Sequence, residues 1–309
     1  MIIAGKKIQK GETKQIKLAI AKLTSGTDID VPVIVSRGKK DGPVLLLMAG
    51  LHGDEINSVD IVRTIIEKKI NHVEAGTVIC VPVMNIFGFI NFSREVPDGK
   101  DVNRSFPGHS KGSLASQIAY HFNKLILPHC DYIIDFHTGG KSRYNIPQVR
   151  TTLDNQKCRE LAEIFNAPFT LHSNLIAKSI REIAVKQEKV IIVFEGGEAL
   201  RFDEHSLNVA ISGTKKVLNH LRMKTFKQPL QQSITKHQRK WLRAPKSGFF
   251  HPTIKVGQEV KQGQLVGMIN GAFGDYQEEC VAKHEGYVVT LNNNPLVNRG
   301  DAIMQIAYD

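Results

Sequence analysis

The chain has 309 residues, of which 41% are hydrophobic and 23% charged, and its 41 Lys and Arg against 30 Asp and Glu give a formal net charge of +11. That length allows one large domain, or a large and a small one. No apolar run approaches the roughly 18 residues that a membrane helix requires, and the start MIIAGKKIQKGETK lacks the apolar stretch of a secretory signal, so a cytoplasmic protein without a membrane partner is expected.

Cys80, Cys130, Cys158 and Cys280 have no paired spacing, which argues against a disulfide framework or a cysteine metal site. The basic residues are spread along the chain without an aromatic-rich recognition motif. A nucleic-acid partner is therefore not expected; the surplus reads as a solvated basic surface that draws an anionic substrate.

Residues 1–43 read as strands and turns, with QIKLAIAKL and DVPVIVSRG as the β-type runs and KKDGP as a closing turn. An α/β pattern follows. The buried run VLLLMAG delivers His52-Gly53-Asp54-Glu55 at its carboxyl end, and NSVDIVRTIIEKKI has helical spacing, which puts Glu55 near a helix start. TVICVPVMN is a second buried strand. The aperiodic stretch 88–109 after it contains Arg94, Asp101, Asn103 and Arg104 and reads as an ordered active-site loop.

SLASQIAYHFNKLILPH is an amphipathic helix leading into CDYIIDFHTGG, a third buried strand. A polar region reaches to about residue 160, with Arg143, Tyr144 and Arg150 in a loop beside His137. The helix RELAEIFNA, the strand KVIIVFEGGE and the helix HSLNVAISGTKKVLNHLR complete a domain of residues 1–228. Three buried strands thus end at His52, His137 and Glu195, and in open α/β sheets such strand ends share one crevice.

Residues 229–309 are of another kind. MKTFKQPLQQSITKHQRK, 223–240, is a polar, basic connection. Beyond it GFFHPTIKVGQEVKQGQLVGMI resembles GYVVTLNNNPLVNRGDAIMQI, and two such halves predict a small β-sandwich or barrel with pseudo-twofold symmetry.

His52, Glu55 and His137 supply the two-histidine, one-glutamate set of a catalytic zinc site with one position open for water. A metal held this way makes water a usable nucleophile near neutral pH. Glu195 is placed to act as general base, Arg94 is the candidate for stabilising charge on the carbonyl oxygen, and Asn103 with Arg104 are candidates for binding a substrate carboxylate. The bland alternatives are a helix-capping role for Glu55, an Arg104–Asp101 ion pair, and a solvated Arg94. Asp135 shares a strand face with His137 and is a candidate to orient it.

These motifs resemble the succinylglutamate desuccinylase and aspartoacylase family of the zinc carboxypeptidase superfamily. The resemblance rests on Gly-Leu-His-Gly-Asp-Glu at 50–55, Asp-Val-Asn-Arg-Ser-Phe at 101–106, Asp135-Phe136-His137 and Phe194-Glu195-Gly196-Gly197. It implies a mixed sheet flanked by helices, one zinc ion on His52, Glu55 and His137, Glu195 as base, Asn103 and Arg104 as carboxylate binders, and hydrolysis of a carboxylate-bearing N-acyl amino acid. The C-terminal repeat resembles biotinyl and lipoyl domains, but Asp275 stands where their attachment lysine is expected, so a lid or an oligomer contact is the expected role. A carboxypeptidase acting on short peptides and a non-catalytic carrier are the competing readings, and a homo-oligomer built through the sandwich is compatible with the first.

Overall fold

The computed structural model describes residues 1–22 and 25–309. Leu23, the end of the first predicted strand, lies outside them. The amino-terminal hairpin pairs β1 (Thr13–Lys22) with β2 (Asp28–Arg37), and β3 follows at Lys40–Met48. The KKDGP stretch is therefore largely the start of β3 rather than a turn. An irregularity in its pairing between Lys40 and Val44 absorbs the glycine and proline.

Helix α1 (Ile56–Glu67) leads to β4 (Ala75–Val81), and α2 (Leu114–Leu125) leads to β5 (Tyr132–Gly139). The chain continues through β6 (Arg143–Thr151), α3 (Gln156–Phe165), β7 (Phe169–His172), α4 (Ile180–Lys186), β8 (Val190–Glu198) and α5 (Glu204–His220). Strands β4, β3, β5 and β8 are parallel neighbours in that order, while β2 and β6 flank them antiparallel. The sheet is mixed, as expected.

Period-two alternation sends Leu45, Leu47, Ile134, Phe136, Ile192 and Phe194 to one face, under α1, α3 and α5. Leu46, Met48, Ile133 and Ile191 face the other way, with Ile118 and Phe122 of α2 and Ile180 of α4 in the same core. Burying each such side chain contributes about 1.5–3 kcal/mol. Asp135, His137 and Glu195 continue this second face beyond its apolar part, so the sheet changes from core to site along its own strands.

The predicted polar loop after His137 is the strand β6. It is legible only in three dimensions, because Val149 is its one wholly buried aliphatic side chain toward the helices while Asn145, Gln148 and Arg150 are polar. The predicted connection also contains structure. Residues Ile234–Lys236 (β9) pair in parallel with Phe169–Leu171 of β7, and β10 spans Gln238–Arg243.

The carboxyl-terminal part has two packed sheets. One contains β11 (Gly248–Pro252), β12 (Leu265–Asn270), β13 (Gln277–Val281) and Leu296–Val297. The other is formed by β10, β14 (Gly286–Asn292), β15 (Ala302–Tyr308) and Glu259–Val260. Leu242, Phe250, Val266, Ile269, Val288 and Met304 fill the space between them. The sequence repeat becomes a reciprocal exchange: β11 of the first half pairs with Leu296–Val297 of the second, and β14 of the second pairs with Glu259–Val260 of the first.

The sandwich joins the amino-terminal sheet edge to edge, through Thr290↔Asn145, Leu291↔Tyr144 and Asn292↔Arg143. Among the described residues one 13-stranded sheet therefore runs through both parts of the chain. The four cysteines are free and buried, and among the described residues no helix is long and apolar enough to cross a membrane.

Candidate active site

Past β3, Gly50 takes a positive φ of 62°, a conformation that suits glycine, and the chain enters the turn bearing His52. Glu55 occupies the N-cap position of α1, yet its side chain makes no capping hydrogen bond. The carboxylate is directed to two imidazoles instead: Oε1 is 2.8 Å from His52 Nδ1 and Oε2 is 2.7 Å from His137 Nδ1. The backbone N–H of Thr138 also donates to Oε2 at 3.2 Å. The helix-capping reading of Glu55 is thereby replaced.

His52, Glu55 and His137 are 4%, 2% and 5% exposed, and each offers a ligand atom within 4.8 Å of the other two. The donor set fits a borderline cation such as zinc. His52 Nε2 is buried without a hydrogen bond and has only a 3.4 Å approach from Asp101 Oδ1. His137 Nε2 is 2.9 Å from Asp135 Oδ2, the second residue back on the same strand face.

Charge explains the ionisation of the cluster. Burial pulls the His137 imidazole down, but the Asp135 and Glu55 carboxylates outweigh it and hold the group well above its ordinary value. His52 is likewise raised, since Glu55 and Asp101 outweigh its burial. Burial pushes Glu55 up, and the two imidazoles reverse this and hold it below the usual carboxylate range.

Glu195 and His137 are register partners on adjacent parallel strands. The base candidate therefore stands beside the ligand candidate on the same face. Its Oε1 accepts from Arg150 Nη1 at 2.7 Å and its Oε2 from Asn145 Nδ2 at 2.6 Å.

Arg94 is also brought in. Its Nε and Nη2 donate to Asp101 Oδ2 at 3.1 and 2.8 Å, and Nη1 lies 3.2 Å from His52 Nδ1. Asp101 thus takes Arg94 rather than Arg104. Arg104 donates to the Asn103 carbonyl at 2.6 Å, and Asn103 Oδ1 accepts from Ile180 N at 3.0 Å, which ties the loop to the start of α4.

The ligand and base candidates, Arg94, Asn103 and Arg104 line one cavity of about 260 Å³, together with Arg143, Arg150, Arg181, Trp241 and Thr290. Tyr144 is not among its walls and faces a separate groove beside Pro252–Val256. Arg181 is 6% exposed, donates to Ser173 Oγ at 3.0 Å and to the Asn174 carbonyl, and keeps Nη1 without a partner. Burial and the nearby Arg150 push its guanidinium down to about 10.

Asn145, Arg181, Trp241 and Thr290 carry no motif that singles them out in the sequence. Their polar or aromatic side chains acquire meaning only when β6, α4 and the sandwich meet.

Comparison with known proteins identifies the family. The succinylglutamate desuccinylase/aspartoacylase catalytic-domain model matches residues 41–221, more than half of the chain. A curated relative, the N-alpha-acetyl-L-2,4-diaminobutyric acid deacetylase of Halomonas elongata, is 28% identical over 293 residues, covering 90% of this chain and 85% of its own. A Rhodobacter sphaeroides crystal structure described as succinylglutamate desuccinylase/aspartoacylase superposes with a TM-score of 0.86 at 25% identity, covering 97% of each chain. The fold is also shared with the product-bound ectoine utilization protein EutE (DoeB) of Ruegeria pomeroyi, at a TM-score of 0.87 and 24% identity over 97% of this chain and 96% of that one. With the His-Glu-His cluster, Glu195 and the Asn103-Arg104 pair all inside the matched span, the chain belongs to the succinylglutamate desuccinylase/aspartoacylase family.

Proposed function

We propose that this protein hydrolyses the amide bond of a small, carboxylate-bearing N-acyl amino acid, with His52, Glu55 and His137 holding one zinc ion. The observation that carries this reading is the placement of Glu195 beside His137, in one cavity with the buried His-Glu-His cluster. The ion, when bound, supplies Lewis-acid activation of water and of the acyl carbonyl.

The chain does the rest. Glu195 takes the proton of the attacking water and returns it to the leaving amine. Its two oxygens each accept one donor, which fixes the carboxylate in place and leaves lone pairs for that proton. Arg94, held by Asp101 beside His52, contributes positive charge toward the developing oxyanion. Asn103 and Arg104 bind the substrate carboxylate.

The cavity walls include Arg94, Arg104, Arg143, Arg150 and Arg181, which favours a substrate with net negative charge. Its volume of about 260 Å³, with Trp241 in its lining, favours a compact acyl amino acid over a peptide. We divide the chain functionally as in the sequence, into an amidohydrolase unit of residues 1–228 and a linker with sandwich of residues 229–309.

The test is amine release from N-acetyl-L-aspartate, N-succinyl-L-glutamate, N-acetyl-L-2,4-diaminobutyrate and a set of dipeptides, with and without chelator. Chelator-sensitive turnover of an N-acyl amino acid, with dipeptides uncut, is expected. Cleavage of dipeptides alone reassigns the protein to the peptidases.

A further inference from the structure

The sandwich reaches the base candidate through a directed chain of hydrogen bonds. Thr290 of β14 is 1% exposed and Asn145 of β6 is 3% exposed, and the two are register partners. Thr290 Oγ1 is 2.6 Å from Asn145 Oδ1, and Asn145 Nδ2 is 2.6 Å from Glu195 Oε2.

The polarity of this chain is determined by its last member. An ionised carboxylate only accepts, so the amide must turn its NH₂ toward Glu195 and its carbonyl toward Thr290, whose hydroxyl must then donate. Without that hydroxyl the buried amide oxygen would have no donor from β14, and a flipped amide would set its oxygen against the carboxylate. Hydrogen bonds arranged head to tail in a buried site also strengthen one another.

We infer that Thr290 is a positioning residue for hydrolysis: it sets the orientation of the Asn145 amide, which in turn fixes the Glu195 carboxylate beside His137. This rests on the general-base reading of Glu195. It gives the sandwich a role in turnover rather than only in covering the site, and explains why its sheet joins β6 at this register. Arg150, on the other oxygen of Glu195, lies on β6 itself.

The experiment compares Thr290→Val and Thr290→Ser in the full-length, zinc-loaded protein, using the three N-acyl amino acids named above. Valine keeps the shape and removes the donor, whereas serine keeps the donor. Thr290→Val is expected to lower kcat about ten-fold, equivalent to about 1.4 kcal/mol in the barrier. KM should stay within about two-fold, as for an interaction that matters in the transition state more than in ground-state binding. Thr290→Ser should restore most of kcat, and in a Glu195→Gln background Thr290→Val should add no further loss.

Equal impairment of the serine and valine variants, or a change confined to KM, overturns the positioning role and leaves a packing role. Wild-type turnover by Glu195→Gln alone would instead remove the base assignment beneath it, so the two failures are distinguishable.

Discussion

His137 Nε2 and Asp135 Oδ2 lie 2.9 Å apart on one face of one strand, with Phe136 between them turned into the opposite core. A carboxylate in this position fixes the ring and its tautomer, and leaves Nδ1 directed at Glu55. Asp135→Asn should therefore weaken zinc binding about 10–100-fold while the fold is kept. His137→Ala should lose stoichiometric zinc altogether. Competition titration against a chromogenic chelator measures both, and an unchanged affinity in Asp135→Asn would remove that residue from the support of the site.

Metal binding to this cluster should release protons. His137 and His52 are both raised above the ordinary imidazole value by neighbouring carboxylates, so they hold their protons to higher pH than free imidazoles do, and a cation must displace those protons. Protons compete most at low pH, and apparent affinity should rise as pH increases from about 6 to about 8. Zinc titrations across that range provide the check, with proton release in buffers of different ionisation enthalpy as an independent readout. A flat profile would contradict the charge balance described for the cluster.

Arg181 is a buried cation whose Nη1 has no partner among the described residues and which has Arg150 nearby. Such a group is costly to the fold and is expected where an anion binds. Arg181→Met should raise KM for dianionic N-acyl amino acids at least about ten-fold. Relief of the buried charge and loss of the donor to Asn174 oppose each other, so stability should change by about 1 kcal/mol or less. Steady-state kinetics and urea unfolding separate the two effects; an unaltered KM would dissociate Arg181 from the substrate.

Gly53 has no room for a side chain. A Cβ there would fall 1.8 Å from the carbonyl carbon of Gly88 and 2.1 Å from Phe89 N. The close approach lets Gly53 N donate to Ser93 O at 2.9 Å and brings the loop carrying Arg94 against the turn carrying His52. Gly53→Ala should destabilise the fold by about 3 kcal/mol, at the upper end of ordinary overpacking, and should weaken zinc binding. Thermal unfolding with and without zinc measures this, and a wild-type midpoint would show that the two segments part without cost.

Much of the site was legible in the sequence because its signals are local. Each ligand or base candidate stands at the end of an apolar run, and strand parity alone puts Asp135 on the face of His137. Arg150 was visible, but β6 read as a polar loop because the side chains it turns toward the site interrupt an apolar pattern. Arg181 lay in a segment without recognisable period, since α4 spans only seven residues. Thr290 was beyond reach for a different reason. Its partner Asn145 is 145 residues away, and only the edge-to-edge joining of the sheets brings them together. The linker residues 234–236 were similarly obscured, because a three-residue strand between polar neighbours carries too little pattern to distinguish it from coil.

The proposed hydrolysis divides the labour between a metal held by His52, Glu55 and His137 and a proton acceptor at Glu195. Glu195→Gln tests it most directly, with zinc content by elemental analysis and turnover of the N-acyl amino acid panel measured on the same preparation. One zinc per chain with turnover reduced at least about 100-fold is the expected result. Full zinc with wild-type turnover would contradict it, because proton transfer would then lie with another group.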